Sequence, residues 1–343
     1  MKAFRHKVSD ELGDKLNKQL EKDLDADRAH MSEEELFSFA PFDPGQAERG
    51  GYSNYSYWQA TFRAFFKNKA AVFFLCLMVC TLLFTFIQPY LPGQRDPLTV
   101  HYSEWGLPLN NIPPKNDLGF LLGTNSIGQD LWARIWAGTR TSLFIGFSVA
   151  LVEAVVGILV GVLWGYVRKL DFFFTELYNI LDNIPQTLLL LLISYIMKPG
   201  VSTIIFALSL TGWLGMARFI RNQIIIIRDR DYNLASRCLG APTQRIITKN
   251  LLPYLVSVIT MRMALAIPGA IGSEVFVTYI GIGLPLDTPS LGNLIQTGRL
   301  VMQAPVLRYQ LIFPVAILAV ITISFYIIGN AFADAADPKN HIN

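Results

Sequence analysis

Long apolar runs, separated by shorter polar segments, dominate the pattern of this chain. A helix that crosses a lipid bilayer needs about 20 mainly apolar residues, and six runs reach or nearly reach that length. They are Ala70–Tyr90, Ser142–Tyr166, Phe172–Met197, Val201–Ala217, Val256–Tyr279 and Leu311–Ala331. We therefore predict an all-α membrane protein with six transmembrane helices. The short fourth run also suits a buried helix that does not span.

The stretch before the first run predicts a helix that lies in the membrane interface. Within residues 56–69, aromatic residues recur at helical spacing and basic residues follow closely, which is the pattern of an amphipathic interfacial helix. A helix docked on a neighbouring subunit is the alternative. Residues 1–55 mix acidic and basic residues with few large apolar ones, which predicts a solvated and partly disordered tail.

The distribution of Lys and Arg predicts that both termini are cytoplasmic. Basic residues are dense at one set of run ends, especially between residues 218 and 249, and sparse in the longer loops on the other side. This orientation divides the chain as follows: cytoplasmic tail 1–55, interfacial helix 56–69, first transmembrane helix 70–91, extracytoplasmic loop 92–140, core 141–333 with five transmembrane helices and a cytoplasmic loop at 225–253, and cytoplasmic tail 334–343.

Composition agrees with a membrane protein and excludes several classes of function. Of the 343 residues, 52% are hydrophobic and 16% are charged, whereas soluble domains average about 25% charged residues. The net charge of +3 is too small to indicate nucleic-acid binding. The three Cys and four His residues have no metal-ligand spacing. We therefore expect no metal site and no nucleic-acid partner.

A polar segment between the fourth and fifth runs predicts two short helices joined by a turn. Asp229 and Asp231 precede the first helix and Arg237 falls in its last turn, so these charges complement the helix dipole. Gly240 suits the left-handed position after a helix, and Pro242 can begin a second helix. The segment either simply connects two spans or serves as a docking platform for another protein.

The residues of this segment resemble the coupling loop of the permeases of ABC importers. Ala235, Ser236 and Gly240, followed after nine residues by Asn250 and then by Leu252-Pro253, match most of the family pattern. Leu234 stands where the family has Glu, Ser236 replaces the second Ala, and Asn250 replaces Ile. The resemblance implies that a separate ATPase subunit contacts Leu234, Ala235, Ser236, Arg237, Gly240, Ala241, Pro242, Leu252 and Pro253.

Three further stretches resemble the branch of this family that imports dipeptides and oligopeptides. The segment "GTNSIGQDLWARIWAGTRTSLFIG" retains Gly123, Thr124, Gly128, Asp130, Arg134, Gly138, Arg140 and Ser142 of the branch pattern. The segment "EVFVTYIGIGLPLDTPSLGNLI" retains Gly281, Gly283, Pro289, Ser290 and Gly292. The ending "DAADPKN" is also similar. The sequence around "YNILDNIP" and "YNLASRCLG" resembles the oligopeptide permeases of Gram-positive bacteria.

The resemblance implies a type I ABC importer permease fold and a non-catalytic subunit of a bacterial cytoplasmic membrane. Its implied partners are a second, different permease subunit, two ATPase subunits and an extracytoplasmic peptide-binding protein. No Gly-x-x-x-x-Gly-Lys-Ser/Thr phosphate loop occurs in the sequence. We therefore expect this chain to bind no cofactor itself, with ATP and Mg²⁺ held by the partner subunits.

Five charged residues fall inside the apolar runs: Glu153, Glu176, Asp182, Arg262 and Glu274. Ionisable groups there are costly and usually functional. Counting along each run places Glu153, Asp182 and Arg262 at similar depth. One hypothesis is an internal pair between Arg262 and either acid. The other is a lining of the peptide pathway. Bends required for transport, or ordinary kinks, are predicted at Pro185 and in the Pro268-Gly269 region with Gly272.

Other functions remain open on the sequence alone. An ABC permease for another solute, such as nickel or a metal chelate, would share most of these motifs. A self-sufficient secondary carrier would show internal repeats, and none is clear. An intramembrane enzyme would need a paired catalytic constellation. The scattered His residues and the single Asp182 argue against that class.

Overall fold

The computed structural model of the protein describes residues 57–114, 118–247 and 252–336. The longer helices in these residues are α1 (Tyr57–Lys67), α2 (Lys69–Ile87), α3 (Leu131–Tyr166), α4 (Arg168–Asp182), α5 (Gln186–Ile196), α6 (Val201–Arg228), α7 (Asp231–Cys238), α9 (Leu252–Tyr279), α10 (Leu291–Val301) and α11 (Tyr309–Ala336), with the single turn α8 (Thr243–Arg245) between α7 and α9. The predicted tail 1–55, most of the tail 334–343, and Asn250 lie outside the described residues.

The prediction of an all-α membrane protein is confirmed. Five helical segments are long and apolar enough to cross a membrane, and α4 with α5 makes six if that bent pair counts as one span. The only β-structure in the described residues is a set of isolated β-bridges in the segments between helices. The predicted third span is not one straight helix, because α4 and α5 meet at an angle of 73°. The break falls next to Pro185, whose ring cannot continue a helix.

The second spanning helix begins eleven residues before the predicted run at Ser142, so the end of the predicted loop 92–140 is helical. Asp130 caps α3 by accepting a hydrogen bond from the backbone N–H of Trp132 at 2.9 Å. Two arginines in the first turns donate to backbone carbonyls of other segments. Arg134 reaches Leu286 at 3.1 Å and Arg140 reaches Thr85 at 2.8 Å. These bonds let charged side chains lie within a packed helix.

Close packing of α3 on α6 forms the centre of the bundle. Gly157, Gly161 and Gly165 follow one another at intervals of four along α3. A Cβ added to Gly161 would lie 2.6 Å from the carbonyl oxygen of Ala217, and one added to Gly157 would lie 2.6 Å from Met216. Small residues at this spacing allow two membrane helices to approach closely. The spacing was visible in the sequence, but our sequence analysis missed it.

The loop before α3 is folded onto the bundle. Gly123 and Gly128 have φ angles of +79° and +83°, which glycine adopts without strain. The Thr124 hydroxyl accepts from the N–H of Ile112 at 2.9 Å and donates to the carbonyl of Leu109 at 2.6 Å. Tyr309, the first residue of α11, places its hydroxyl 2.7 Å from the carbonyl oxygen of Thr124. This part of the family motif therefore shapes the loop and fixes it to α11.

Candidate functional site

The segment between α6 and α9 has the predicted shape of a helix, a tight turn and a second helix. Gly240 adopts the left-handed conformation, with φ +79°. The N–H of Ala241 donates to the carbonyl of Ser236 at 3.0 Å, and the N–H of Gly240 donates to that of Arg237 at 2.9 Å. This pair of bonds is a Schellman motif, which ends α7 sharply. Pro242 then precedes α8.

Two side chains fix α7 to the end of α6. Asn233 is fully buried and donates from its side-chain amide to the carbonyl of Ile227 at 2.9 Å. Arg237 donates to the carbonyl of Arg228 at 2.8 Å. Both bonds go to carbonyl groups in the last turn of α6, where the regular helical hydrogen bonds end. The two helices are therefore joined by side-chain bonds as well as by the chain.

The same corner is joined to α3. Arg228 donates to the carbonyl of Gly165 at 2.9 Å, and the Arg237 guanidinium lies 5.6 Å from the centroid of the Tyr166 ring. Arg228 also pairs with Asp229 at 3.0 Å. This hydrogen-bonded guanidinium holds the pKa of Asp229 below its usual range, so that carboxylate remains ionised at the start of α7. The corner where α3, α6 and α7 meet is thus held by several arginine contacts.

The outer side of α7 and its turn exposes apolar side chains. Leu239 is 88% exposed, Tyr232 is 47% exposed and Leu234 is 42% exposed. Ala235 between them is small and exposed. We call Tyr232, Leu234, Ala235 and Leu239 the coupling surface. It lies on a segment whose other exposed side chains are mainly polar, so it offers a partner an apolar contact.

The part of the segment that follows the turn at Gly240 packs into the core of the bundle. Ile246 is 1% exposed and packs in a buried cluster with Ile224 of α6 and Leu255 of α9. Leu252 begins α9. The positions of the side chains of Leu252 and Pro253 lie outside the described part of the structure. The predicted coupling residues therefore share one corner of the molecule as far as the described residues reach.

The structure does not bring Arg262, Asp182 and Glu153 together. The Arg262 guanidinium lies 4.3 Å from the centroid of the Phe219 ring and, in the part of the chain that the structure describes, makes no ion pair with either acid. Glu153 packs its carboxylate against Gly212 of α6, and Asp182 is exposed at the end of α4. Among the described residues, the three side chains contact different neighbours, so the hypothesis of an internal pair has no support there. The pathway hypothesis stays a prediction.

Two other arginines join α6 to α4 and to α3. Arg221 of α6 pairs with Asp171 of α4 at 2.7 Å and lies over the Trp164 ring at 5.2 Å. Arg218, one turn earlier, lies 4.6 Å from the centroid of the Tyr178 ring. These contacts fix α4, the first half of the bent span, against α6.

A cavity of about 310 Å³ lies beside the break in the bent span. Gln186 and Thr187, the first residues of α5, line one side, and Gly269 and Gly272 of α9 line the other. A Cβ added at either glycine would meet no atom within 4 Å, so both glycines leave open space. The predicted bend positions at Pro185 and near Pro268 therefore border one cavity, although α9 continues unbroken through Pro268.

The family models identify the chain. Residues 157–342 match the model for the binding-protein-dependent transport system inner membrane component, and residues 56–114 match the model for the N-terminal transmembrane domain of oligopeptide transport permease C. The chain belongs to the family of inner membrane components of binding-protein-dependent transport systems. The predicted family is confirmed, and we call the protein the permease below.

Several relatives are similar to the permease over most of their length. They include the oligopeptide transport system permease protein AmiD of Streptococcus pneumoniae (35% identity, 90% of this chain and 98% of the relative), OppC of Bacillus subtilis (32%, 89% and 97%) and the dipeptide permease DppC of Bacillus subtilis (35%, 83% and 86%). Among solved structures, inward-facing crystal forms of the MetNI methionine ABC transporter match with 22–23% identity and TM-scores of 0.43 and 0.44, covering 57% and 59% of this chain and 94% and 96% of those chains.

The second motif of the permease converges on a buried carboxylate that our sequence analysis noted only as a charge in a span. Glu274 of α9 is fully buried and accepts hydrogen bonds from the hydroxyls of Ser142 at 2.8 Å and Thr278 at 3.2 Å. Each hydroxyl in turn accepts a backbone N–H, from Leu291 at 3.2 Å and Leu284 at 3.3 Å. The network joins α3, α9 and α10.

Glycines of both motifs are required by the close packing around the network. A Cβ on Gly292 would lie 2.9 Å from the Glu274 carboxylate, and a Cβ on Gly138 would lie 2.8 Å from the backbone of Ser290. Gly281 has φ +88°. Ser290 caps α10 by accepting from the N–H of Asn293 at 3.1 Å. These motif residues hold the neighbouring ends of α3, α9 and α10 together.

Proposed function

We propose that the permease is one of two different membrane subunits of an ATP-driven peptide importer. The proposal is supported by relatives that are named oligopeptide and dipeptide permeases and that match over most of both chains. The structural observation that carries it is the coupling surface, an exposed apolar patch on a helix fixed rigidly to the bundle. Two separate ATPase subunits bind ATP and Mg²⁺, and one of them contacts this surface.

Transport follows from movement of the corner that bears the coupling surface. An extracytoplasmic binding protein delivers a peptide to the outer face, formed partly by residues 92–140 and 281–308. Closure of the ATPase subunits on ATP moves α7, and the bonds of Asn233 and Arg237 carry that movement to α6. The bent span beside the cavity changes its angle, and the peptide path opens to the other side of the membrane. Arg262 and Glu153 are candidate lining residues of that path.

The coupling surface can be tested by placing a charge in it. In the assembled transporter, Leu239→Asp should lower ATP-dependent uptake of a labelled peptide into proteoliposomes by about 30-fold, as expected for loss of an apolar interface anchor worth about 2 kcal/mol. The fraction of ATPase subunit that co-purifies should fall in parallel.

The matched control for co-purification is Leu107→Asp, which alters another exposed leucine, in the loop before α3, and should leave the co-purifying fraction of ATPase subunit near wild type. Equal loss of the ATPase subunit with both substitutions would contradict the proposed role of α7. Full uptake by the permease reconstituted without nucleotide would contradict ATP-driven import itself.

A further inference from the structure

An apolar cavity of about 210 Å³ lies between α1 and the bundle. Phe62 and Phe66 of α1 line one side, and Met261 of α9 with Ile328 and Phe332 of α11 line the other. The one hydroxyl in the lining, that of Thr260, already donates to the carbonyl of Val256 at 2.8 Å. The cavity therefore offers hydrocarbon contacts and no free polar group to a ligand.

Exposed cations lie at the junction of α1 and α2. Lys67 ends α1 and Lys69 begins α2, with Asn68 between them as the cap of α2. Both lysine side chains are exposed. Neither helix contains an acidic residue, and α11 contributes Asp334 near its last turn. The positive end of the α2 dipole adds to the field of the two ammonium groups.

Phe66, which lines the cavity, directly precedes Lys67 in the chain. An apolar cavity beside a pair of cations in a membrane protein matches an anionic phospholipid, which carries a phosphate next to acyl chains. A zwitterionic lipid also carries a phosphate, but its own ammonium group offsets that charge, so it would gain less from Lys67 and Lys69 than an anionic lipid. A helix of another subunit would need an acidic side chain beside an apolar one, and the exposed aromatic rings of α1 instead suit the membrane interface.

We propose that this cavity holds an acyl chain of an anionic phospholipid whose phosphate lies against Lys67 and Lys69. The lipid fills the space between α1 and the ends of α9 and α11. It thereby holds the interfacial helix to the bundle.

Native mass spectrometry of the detergent-purified transporter tests the proposal, with dioleoylphosphatidylglycerol and dioleoylphosphatidylcholine added as probes. The wild-type complex should retain the anionic lipid in preference to the neutral one. The double substitution Lys67→Gln/Lys69→Gln should weaken retention of phosphatidylglycerol about 30-fold, since each lysine near a membrane surface contributes about fivefold. The control Lys198→Gln changes an exposed lysine elsewhere and should not alter retention.

Filling the cavity separates the acyl chain from the headgroup. Ala264→Phe adds a ring to the cavity lining and should reduce retention of both lipids at this site. Equal retention of phosphatidylglycerol by wild type and the double lysine variant would overturn the proposal. So would a photo-crosslinker at Phe66 that captured another subunit instead of lipid. These measurements need no peptide transport, so failure of the proposed function would not affect them.

Discussion

At the residue scale, one buried polar network inside the membrane-spanning helices is satisfied by its own hydroxyls and by backbone N–H groups. Glu274 shows this most clearly, because two hydroxyls donate to it and each also accepts a backbone N–H. Removal of the carboxylate would leave both hydroxyl protons without an acceptor in a region closed to water. A buried group that loses its partner costs about 1–3 kcal/mol.

Glu274→Leu should therefore lower the free energy of unfolding by about 2–4 kcal/mol, and Glu274→Gln by roughly half as much, because the amide oxygen retains one acceptor. Thermal unfolding in detergent measures the difference. Ser273→Ala is the control, since Ser273 donates only to a carbonyl of its own helix. An unchanged melting temperature for Glu274→Leu would show that the network contributes no stability.

For Arg262 we expect a smaller effect on stability than for Glu274. Its guanidinium contacts the Phe219 ring and not a carboxylate, so Arg262→Gln breaks no buried ion pair, which would cost about 3–5 kcal/mol. We expect loss of at most about 2 kcal/mol of stability together with reduced peptide uptake if Arg262 lines the path. A large fall in melting temperature would indicate an ion pair, and unchanged uptake would remove Arg262 from the path.

At the element scale, spacing along the chain predicted some features well and missed others. The left-handed Gly240 was predictable because residue type and position specify the turn locally. The start of α3 at Leu131 was missed because Arg134 and Arg140 lower the hydropathy there, although Asp130 is a recognisable cap. The ring contact of Arg262 was not predictable, because depth along a helix says nothing about which face of which neighbour is near.

The glycine contacts between α3 and α6 give a prediction at this scale. Gly161→Ala should destabilise the bundle by about 1–3 kcal/mol, the usual cost of overpacking, because the new methyl group would meet the backbone of Ala217. Gly215→Ala lies in open space on α6 and should be neutral or stabilising by up to about 1 kcal/mol. Thermal unfolding of the two variants compares them, and equal stability would contradict tight α3–α6 packing.

At the scale of the whole molecule, the proposed mechanism has the bent span change its angle, which requires free space beside it. The cavity beside Gln186 and Thr187 provides that space, and Gly272 borders it. Gly272→Leu should therefore lower the rate of peptide uptake by about tenfold or more, since overpacking the closed state by about 1–3 kcal/mol raises the barrier by that amount.

The melting temperature of Gly272→Leu should stay near wild type, because a Cβ there meets no atom within 4 Å in this conformation. Val155→Leu, which adds bulk at an exposed position of α3, is the control for both measurements. Normal uptake by Gly272→Leu would mean that the cavity does not close during transport.

Because α7 is fixed to the end of α6 by hydrogen bonds, the two helices are expected to move together. α6 has 28 residues and is about 42 Å long, and it carries the coupling surface at one end and approaches the cavity through Leu208 nearer the other. Because the glycines of α3 pack closely against α6, the proposed mechanism predicts that a displacement at Leu239 tilts α3 and α6 as a unit. Under that mechanism, a force applied to one exposed leucine reaches the opposite end of a helix about 42 Å long.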